Sequence, residues 1–176
     1  MSRTVMSRAV YRPTFMVRSI HDLPVEALLD NRILALVFDV DNTLGPIDCT
    51  RLSEEVMVQM DHLRARGFRL CLGTNSRRDL SEMARELGAQ VVQPGKGIPK
   101  KPHPDFFQAA LRTMRTSPAA TAMIGDKLLF DTSPAASLGL TTILVNPLGK
   151  DLVWEALAAR RFRERRHLRR FGLQRP

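Results

Sequence analysis

Cysteine is nearly absent from this chain, aromatic residues are few, and no apolar run is long. The two cysteines among 176 residues, Cys49 and Cys71, stand singly without CxxC or Cys/His spacing. That excludes a disulfide framework and a zinc ribbon, and reads as unpaired thiols in a reducing cytoplasm. No window approaches ~18 consecutive apolar residues, so no membrane-spanning helix is expected. The amino-terminal stretch lacks the apolar core of a signal peptide, so secretion is not expected either. Acids are scarce at both ends: Arg3, Arg8, Arg12 and Arg18 precede the first one, Asp22, and from Arg160 to Pro176 eight arginines face one glutamate. That tail therefore carries +7 of the net charge of +9, and the body is nearly neutral. With 44% hydrophobic and 26% charged residues, the chain reads as one globular domain, its tail included. The boundaries expected are a leader over 1–31, a core over 32–150 and a basic helix or tail over 151–176.

What is present is an alternation of apolar runs and helical patterns. Ile33–Asp39 reads as a strand, and Ser53–Arg66 as a helix with Val56, Met57, Met60 and Leu63 on one face. Phe68–Gly73 is the next strand, Arg77–Leu87 a helix closed by Gly88, and Ala89–Gln93 a strand. After the loop Pro94–Pro104, the pattern predicts a helix over Asp105–Met114 and a strand over Thr121–Gly125. A helix over Thr132–Leu138, a fifth strand over Thr141–Val145 and a last helix from Lys150 complete the reading. Such βαβ units make a three-layer α/β/α sandwich around a parallel five-stranded sheet.

In sheets of this kind, functional groups gather beyond the carboxyl ends of the strands. The polar residues directly after the apolar runs are Asp39 and Asp41, then Thr74, Asn75 and Ser76, then Asp126. Two like charges at the end of a hydrophobic strand are costly unless something compensates them. Asp39 and Asp126 are hard oxygen ligands suited to Mg²⁺, Lys101 can supply a second cation, and Thr74 and Asn75 offer hydrogen bonds. Together these make a site for a tetrahedral dianion, in which a carboxylate can attack phosphorus and form an aspartyl-phosphate. A calcium loop is excluded, because Leu44 stands at the sixth position, where that loop needs glycine. His21, His62, His103 and His167 lack ligand spacing and read as structural or surface residues.

Four segments resemble the signatures of the haloacid dehalogenase (HAD) superfamily of phosphatases, in the right order and each following an expected strand. They are "DVDNT" (Asp39–Thr43), "GTNS" (Gly73–Ser76), "KKP" (Lys100–Pro102) and "GDKLLFD" (Gly125–Asp131). The resemblance implies roles residue by residue. Asp39 is then nucleophile and Mg²⁺ ligand, and Asp41 is general acid/base and offers its backbone carbonyl to the metal. Thr74 and Asn75 hold the phosphoryl group, Lys101 neutralises its charge, Asp126 binds Mg²⁺ and Asp131 positions the metal's surroundings. Asn42 and Thr43 support the turn. Lys127 stands where the relatives commonly carry glutamine, which leaves its role open.

Only 32 residues separate Asp41 from Thr74, and 26 separate Thr74 from Lys101, so no cap domain fits at either place. An open site suits a phosphate monoester presented on something large. "YRPTFMVRSIHDLP" before the first strand and "GDKLLFDTSPAASLGLTTILVNPLGKD" resemble the YqeG-type members and the related phosphatidylglycerophosphate phosphatases. That implies conversion of phosphatidylglycerophosphate to phosphatidylglycerol by a cytoplasmic protein, peripheral at the inner membrane face. The arginine tail suits an anionic membrane, with Val153, Trp154, Leu157, Leu168 and Phe171 sharing one helical face on which Arg161, Glu164 and Arg165 intrude. The same charge suits nucleic acid, which leaves as alternatives a phosphatase for a nucleotide, nucleic-acid end or phosphoprotein, or an RNA- or ribosome-associated factor; Trp154, Phe162 and Phe171 are too few aromatics for a base-stacking platform. Oligomeric state is not readable.

Overall fold

The computed structural model describes residues 10–149 and 154–176, the side chains of 154–161 excepted. Its strands are β1 (Phe15–Val17), β2 (Ala35–Phe38), β3 (Arg69–Gly73), β4 (Gln90–Val92), β5 (Thr121–Gly125) and β6 (Thr141–Val145). The helices are α1 (Val25–Asp30), α2 (Glu54–Ala65), α3 (Ser81–Leu87), α4 (Pro104–Met114), α5 (Ser133–Ala136) and α6 (Trp154–Arg170). The strands form one wholly parallel sheet in the order β1-β6-β5-β2-β3-β4.

Among the described residues, the sheet thus has six strands rather than five. The additional one, β1, comes from the expected leader and pairs Phe15 with Ile143 and Val17 with Val145. Three residues between arginines are too short for a period-two pattern to register, yet they cap the sheet's edge. A capping box then stops the strand: the Ser19 hydroxyl accepts from the His21 amide, and Asp22 Oδ2 accepts from the Ser19 amide at 3.1 Å.

β2 lies between β3 and β5, and its register levels three strand tips. Phe38 stands opposite Leu72 on one side and Ile124 on the other. The residues that follow, Asp39, Gly73–Thr74 and Gly125–Asp126, therefore emerge side by side. All four β2 side chains are buried, as a strand covered on both faces requires. Leu36 and Phe38 pack with Met60, Leu63 and Leu87 of α2 and α3, while Ala35 and Val37 pack with Phe106, Phe107 and Met114 of α4. Each large apolar side chain buried this way contributes about 1.5–3 kcal/mol, which makes the tip of β2 a rigid support.

Two helices depart from expectation for local reasons. α3 starts at Ser81, not Arg77, because side chains take the preceding backbone amides. Thr74 Oγ1 accepts from Ser76 N, Ser76 Oγ from Arg78 N, and Asp79 Oδ1 from Ser81 N. Such local hydrogen bonds compete with helix formation and hold residues 74–80 as a loop. The segment expected as a helix from Thr132 opens earlier, with a π-helical turn over Leu128–Thr132 that runs into α5 at Ser133. α6 docks through Leu168, which packs with Leu128 and Leu144. The contributions expected of Val153, Trp154 and Leu157, and the helix start at Lys150, lie outside the described residues.

Candidate active site

The tips of β2, β3 and β5 bring Asp39, Thr74 and Asp126 together, and the loop before α4 adds Lys101. The Lys101 ammonium is buried and binds three groups at once: Asp39 Oδ1 at 2.6 Å, Asp131 Oδ1 at 2.7 Å and the Gly73 carbonyl at 2.8 Å. Asn75 fixes the backbone of that lysine from both sides. Its Oδ1 accepts from the Lys101 amide at 2.7 Å, and its Nδ2 donates to the Lys101 carbonyl at 3.0 Å. Asn75, expected on phosphate, also lines the cavity. Lys100 is exposed, so the structure separates the two adjacent lysines.

Asp39, Asp126 and Asp131 form a buried cluster whose oxygens approach within 4.8 Å of one another. Asp131 is fully engaged: Oδ1 holds Lys101 and Oδ2 accepts from the Lys127 amide at 3.0 Å. The π-helical turn aims it there, over Gly125, where any Cβ would come within 2.6 Å of the Asp131 carboxylate. Lys127 extends its ammonium to Asp126 Oδ1 at 3.0 Å.

Charge in this cluster is uneven, three carboxylates against two ammoniums. Burial pushes Asp39 up to about 7, with Asp131 and Asp126 adding to the rise and Lys101 and Lys127 opposing it. Lys101 also rises, since its two carboxylates outweigh its burial. The partners of a simple ion pair would move apart. Here an ammonium 2.6–2.7 Å from two carboxylates stays charged, while burial, helped by the neighbouring Asp131 and Asp126, lifts Asp39. Burial opposes the charge on Lys127, but Asp39, Asp126 and Asp131 hold that lysine firmly protonated.

Asp41 stands apart from the cluster, at the mouth. Its carboxylate faces Arg78, with Nη2 at 2.8 Å from Oδ1 and Nη1 donating to Oδ2 at 3.1 Å, and it accepts the Asp48 amide at 3.0 Å. Arg78 was not expected in the site. The available signal was its place in the loop directly after "GTNS", on the same sheet edge as the acids. Thr74 Oγ1 is held by the Ser76 amide at 3.0 Å. Asn42 is buried in a left-handed turn (φ 66°), donating its amide to Gly45 O. The Thr43 amide donates to Val40 O, closing the same turn.

The cavity so formed is about 130 Å³, and its walls include Asp39, Asp41, Thr74, Lys101, Lys127 and Phe130. Pockets that enclose whole small molecules measure roughly 300–1,000 Å³. This one has room for a small polyatomic group and leaves the rest of any ligand outside. Among the described residues, the intervals from Asp41 to Thr74 and from Thr74 to Lys101 hold α2 and β3, then α3 and β4, with no inserted domain.

The sequence profile of haloacid dehalogenase-like hydrolases matches residues 47–139, just over half of the chain. The chain belongs to the haloacid dehalogenase-like hydrolases. It is 24% identical over 144 residues, 81% of each chain, to the "Probable phosphatase YqeG" of Bacillus subtilis (strain 168). In fold it is similar to a HAD phosphatase from Thermococcus onnurineus, with a TM-score of 0.55 and 15% identity over 70% of this chain and 90% of that one. An uncharacterized protein from Listeria monocytogenes serotype 4b is similar to the same degree, with a TM-score of 0.56 and 14% identity over 69% and 85% of the two chains. HAD-like hydrolases use a divalent metal, and the residues present fit one. Asp39 and Asp126 are hard oxygen donors on adjacent strand tips, and Asp131 braces Lys101 against Asp39.

Proposed function

We propose that this chain is a Mg²⁺-dependent phosphatase that works through a phosphoryl-aspartate on Asp39. The observation that carries the reading is the buried Lys101 ammonium joining Asp39 to Asp131 beside Asp126, in a cavity sized for one phosphoryl group. An Asp39 oxygen attacks phosphorus; the new Asp39–O–P bond forms as the ester P–O bond breaks. Asp41 gives a proton to the departing oxygen and then takes one from the water that cleaves the phosphoryl-aspartate, releasing inorganic phosphate and restoring both acids. Thr74 and Lys101 hold the phosphoryl oxygens, and Asn75 keeps Lys101 in register. Asp39, the Asp41 carbonyl and Asp126 would hold Mg²⁺, which would supply charge that keeps Asp39 ionised and balances the phosphate.

The substrate we propose is phosphatidylglycerophosphate at a membrane surface. Two observations support it: the small cavity, and an exposed arginine face on α6. α6 is tied to the segment before the cavity wall, since Glu164 Oε1 accepts from the amide of Leu129, next to Phe130. A phosphate-release panel tests both levels. Phosphatidylglycerophosphate in mixed micelles should turn over at least tenfold faster than sugar phosphates or nucleoside monophosphates, and Asp39→Asn should abolish all turnover while leaving the melting temperature near that of the wild type. Faster release from soluble esters sinks the lipid assignment. Turnover by Asp39→Asn sinks the mechanism.

A further inference from the structure

Lys127 is placed in a way that neither the turn it begins nor the reaction outlined above requires. Its backbone is fixed: the amide donates to Asp131 Oδ2 at 3.0 Å, and the carbonyl accepts from the Asp131 amide at 2.8 Å. Those bonds shape the loop and need no particular side chain. The side chain, one-quarter exposed, instead runs along the cavity wall and sets its ammonium 3.0 Å from Asp126 Oδ1. Lys101 already pairs with Asp39 and Asp131. The site is therefore flanked by two ammoniums, one buried and fixed, the other at the cavity and able to swing about its stem.

We infer that Lys127 is a second phosphate-binding cation, which strengthens the hold on the phosphoryl dianion and weakens the hold on the divalent metal. The inference rests on the phosphatase reading. The argument is one of charge. Three clustered carboxylates and two ammoniums sum to −1; with a neutral residue at 127 the sum is −2. A divalent cation in the cluster brings the natural site to +1, against 0 with that neutral residue. A dianion then meets a positive site in the first case and a neutral one in the second. At an effective dielectric near 20, a unit charge about 5 Å away changes the affinity of a divalent ion by well over tenfold. The freedom of the lysine stem to turn aside reduces this to about tenfold. On phosphate, a swung ammonium makes a charge-assisted hydrogen bond, the stronger kind.

Two opposite shifts distinguish this from a structural role. Titration calorimetry on the full chain at fixed pH measures Mg²⁺ alone, and inorganic phosphate with Mg²⁺ saturating. Lys127→Gln, close in length and still able to hydrogen-bond, should bind Mg²⁺ about tenfold tighter and phosphate about tenfold weaker. Lys127→Arg should stay near the wild type in both. Affinities unchanged in Lys127→Gln overturn the inference while the phosphatase reading stands. Affinities that both weaken also overturn it, because a loosened loop would do that. A wild-type chain that binds neither ion removes the phosphatase reading and this inference with it.

Discussion

Arg78 meets Asp41 with both ends of its guanidinium, and the pair is only about one-fifth exposed. A hydrogen bond from Nη1 and a close ion pair at Nη2 hold the acid at two points, which a single ammonium does less well. Arg78→Ala and Arg78→Lys should therefore each lower kcat roughly 10–100-fold with KM changed little, because Asp41 moves protons and does not bind phosphate. Steady-state kinetics checks this; an unchanged kcat would make Arg78 a surface partner only. Asp39 gives a pH signature. Its folded pKa, about 7, lies above the ordinary 3.8, so the folded protein holds its proton more tightly than the unfolded chain. Without metal, this acid's contribution is most favourable below about pH 4, declines as pH rises through about 7, and is level above. A divalent cation favours the carboxylate, so Mg²⁺ should raise the melting temperature more at pH 8 than at pH 5.5. Each kcal/mol is worth roughly 2–4 °C in a chain of this size. Thermal scans with Mg²⁺ and with chelator at both pH values test it, and equal shifts would contradict the raised value. The residues so engaged were legible as types and spacings, because the sheet edge collects them. Arg78 carries a weaker signal, its place directly after "GTNS" on the acids' sheet edge, which the helix pattern over Arg77–Leu87 masks.

Between residue and molecule stands the segment Gly125–Ser133. The strand β5 was plain from its apolar run, but the π-helical turn after it was not. A wide turn of five residues leaves no hydrophobic period, and Pro134 only marks where it must give way to α5. Yet this turn brings Asp131 back over Gly125, onto Lys101. Glycine is needed at the strand tip for close approach. Gly125→Ala would set a methyl group within 2.6 Å of the Asp131 carboxylate, with β5 too tightly paired to yield. The expected result is a loss of about 1–3 kcal/mol of stability by overpacking, together with a metal affinity lowered several-fold as Asp131 and Lys101 shift. Denaturant melts and Mg²⁺ titration measure the two. A variant with wild-type values for both would show that the turn has slack. The late start of α3 carries the same lesson, since Thr74, Ser76 and Asp79 divert amides that a helix pattern assumes are its own.

For the whole molecule, the question is where the charge sits relative to the mouth of the site. The tail read from sequence as a basic helix that could fray, yet it is tied down at buried positions. Leu168 packs on Leu128 and Leu144, and Glu164 takes the Leu129 amide. Arg175 donates to the carbonyls of Asp126 and Val145. Glu164 was read as an intrusion on the apolar face, whereas it is the contact that joins the helix to the cavity wall. Removing residues 160–176 would therefore damage the site along with the surface. The clean variant changes only exposed charge: Arg165, Arg166, Arg169 and Arg170 line a cleft of about 440 Å³ with Phe162, and none anchors the helix. At an anionic leaflet each arginine contributes on the order of 1 kcal/mol, so replacing all four with glutamine should weaken vesicle binding roughly a thousandfold. The melting temperature and release of phosphate from soluble esters should stay near wild type, because the four side chains lie outside the core. Co-sedimentation with vesicles containing anionic lipid, against neutral vesicles and single-stranded RNA at matched salt, reads the result. Binding to the anionic vesicles that the fourfold variant loses supports a membrane-facing phosphatase. Binding to RNA alone would assign the arginine face to a nucleic acid and leave the lipid substrate without its surface.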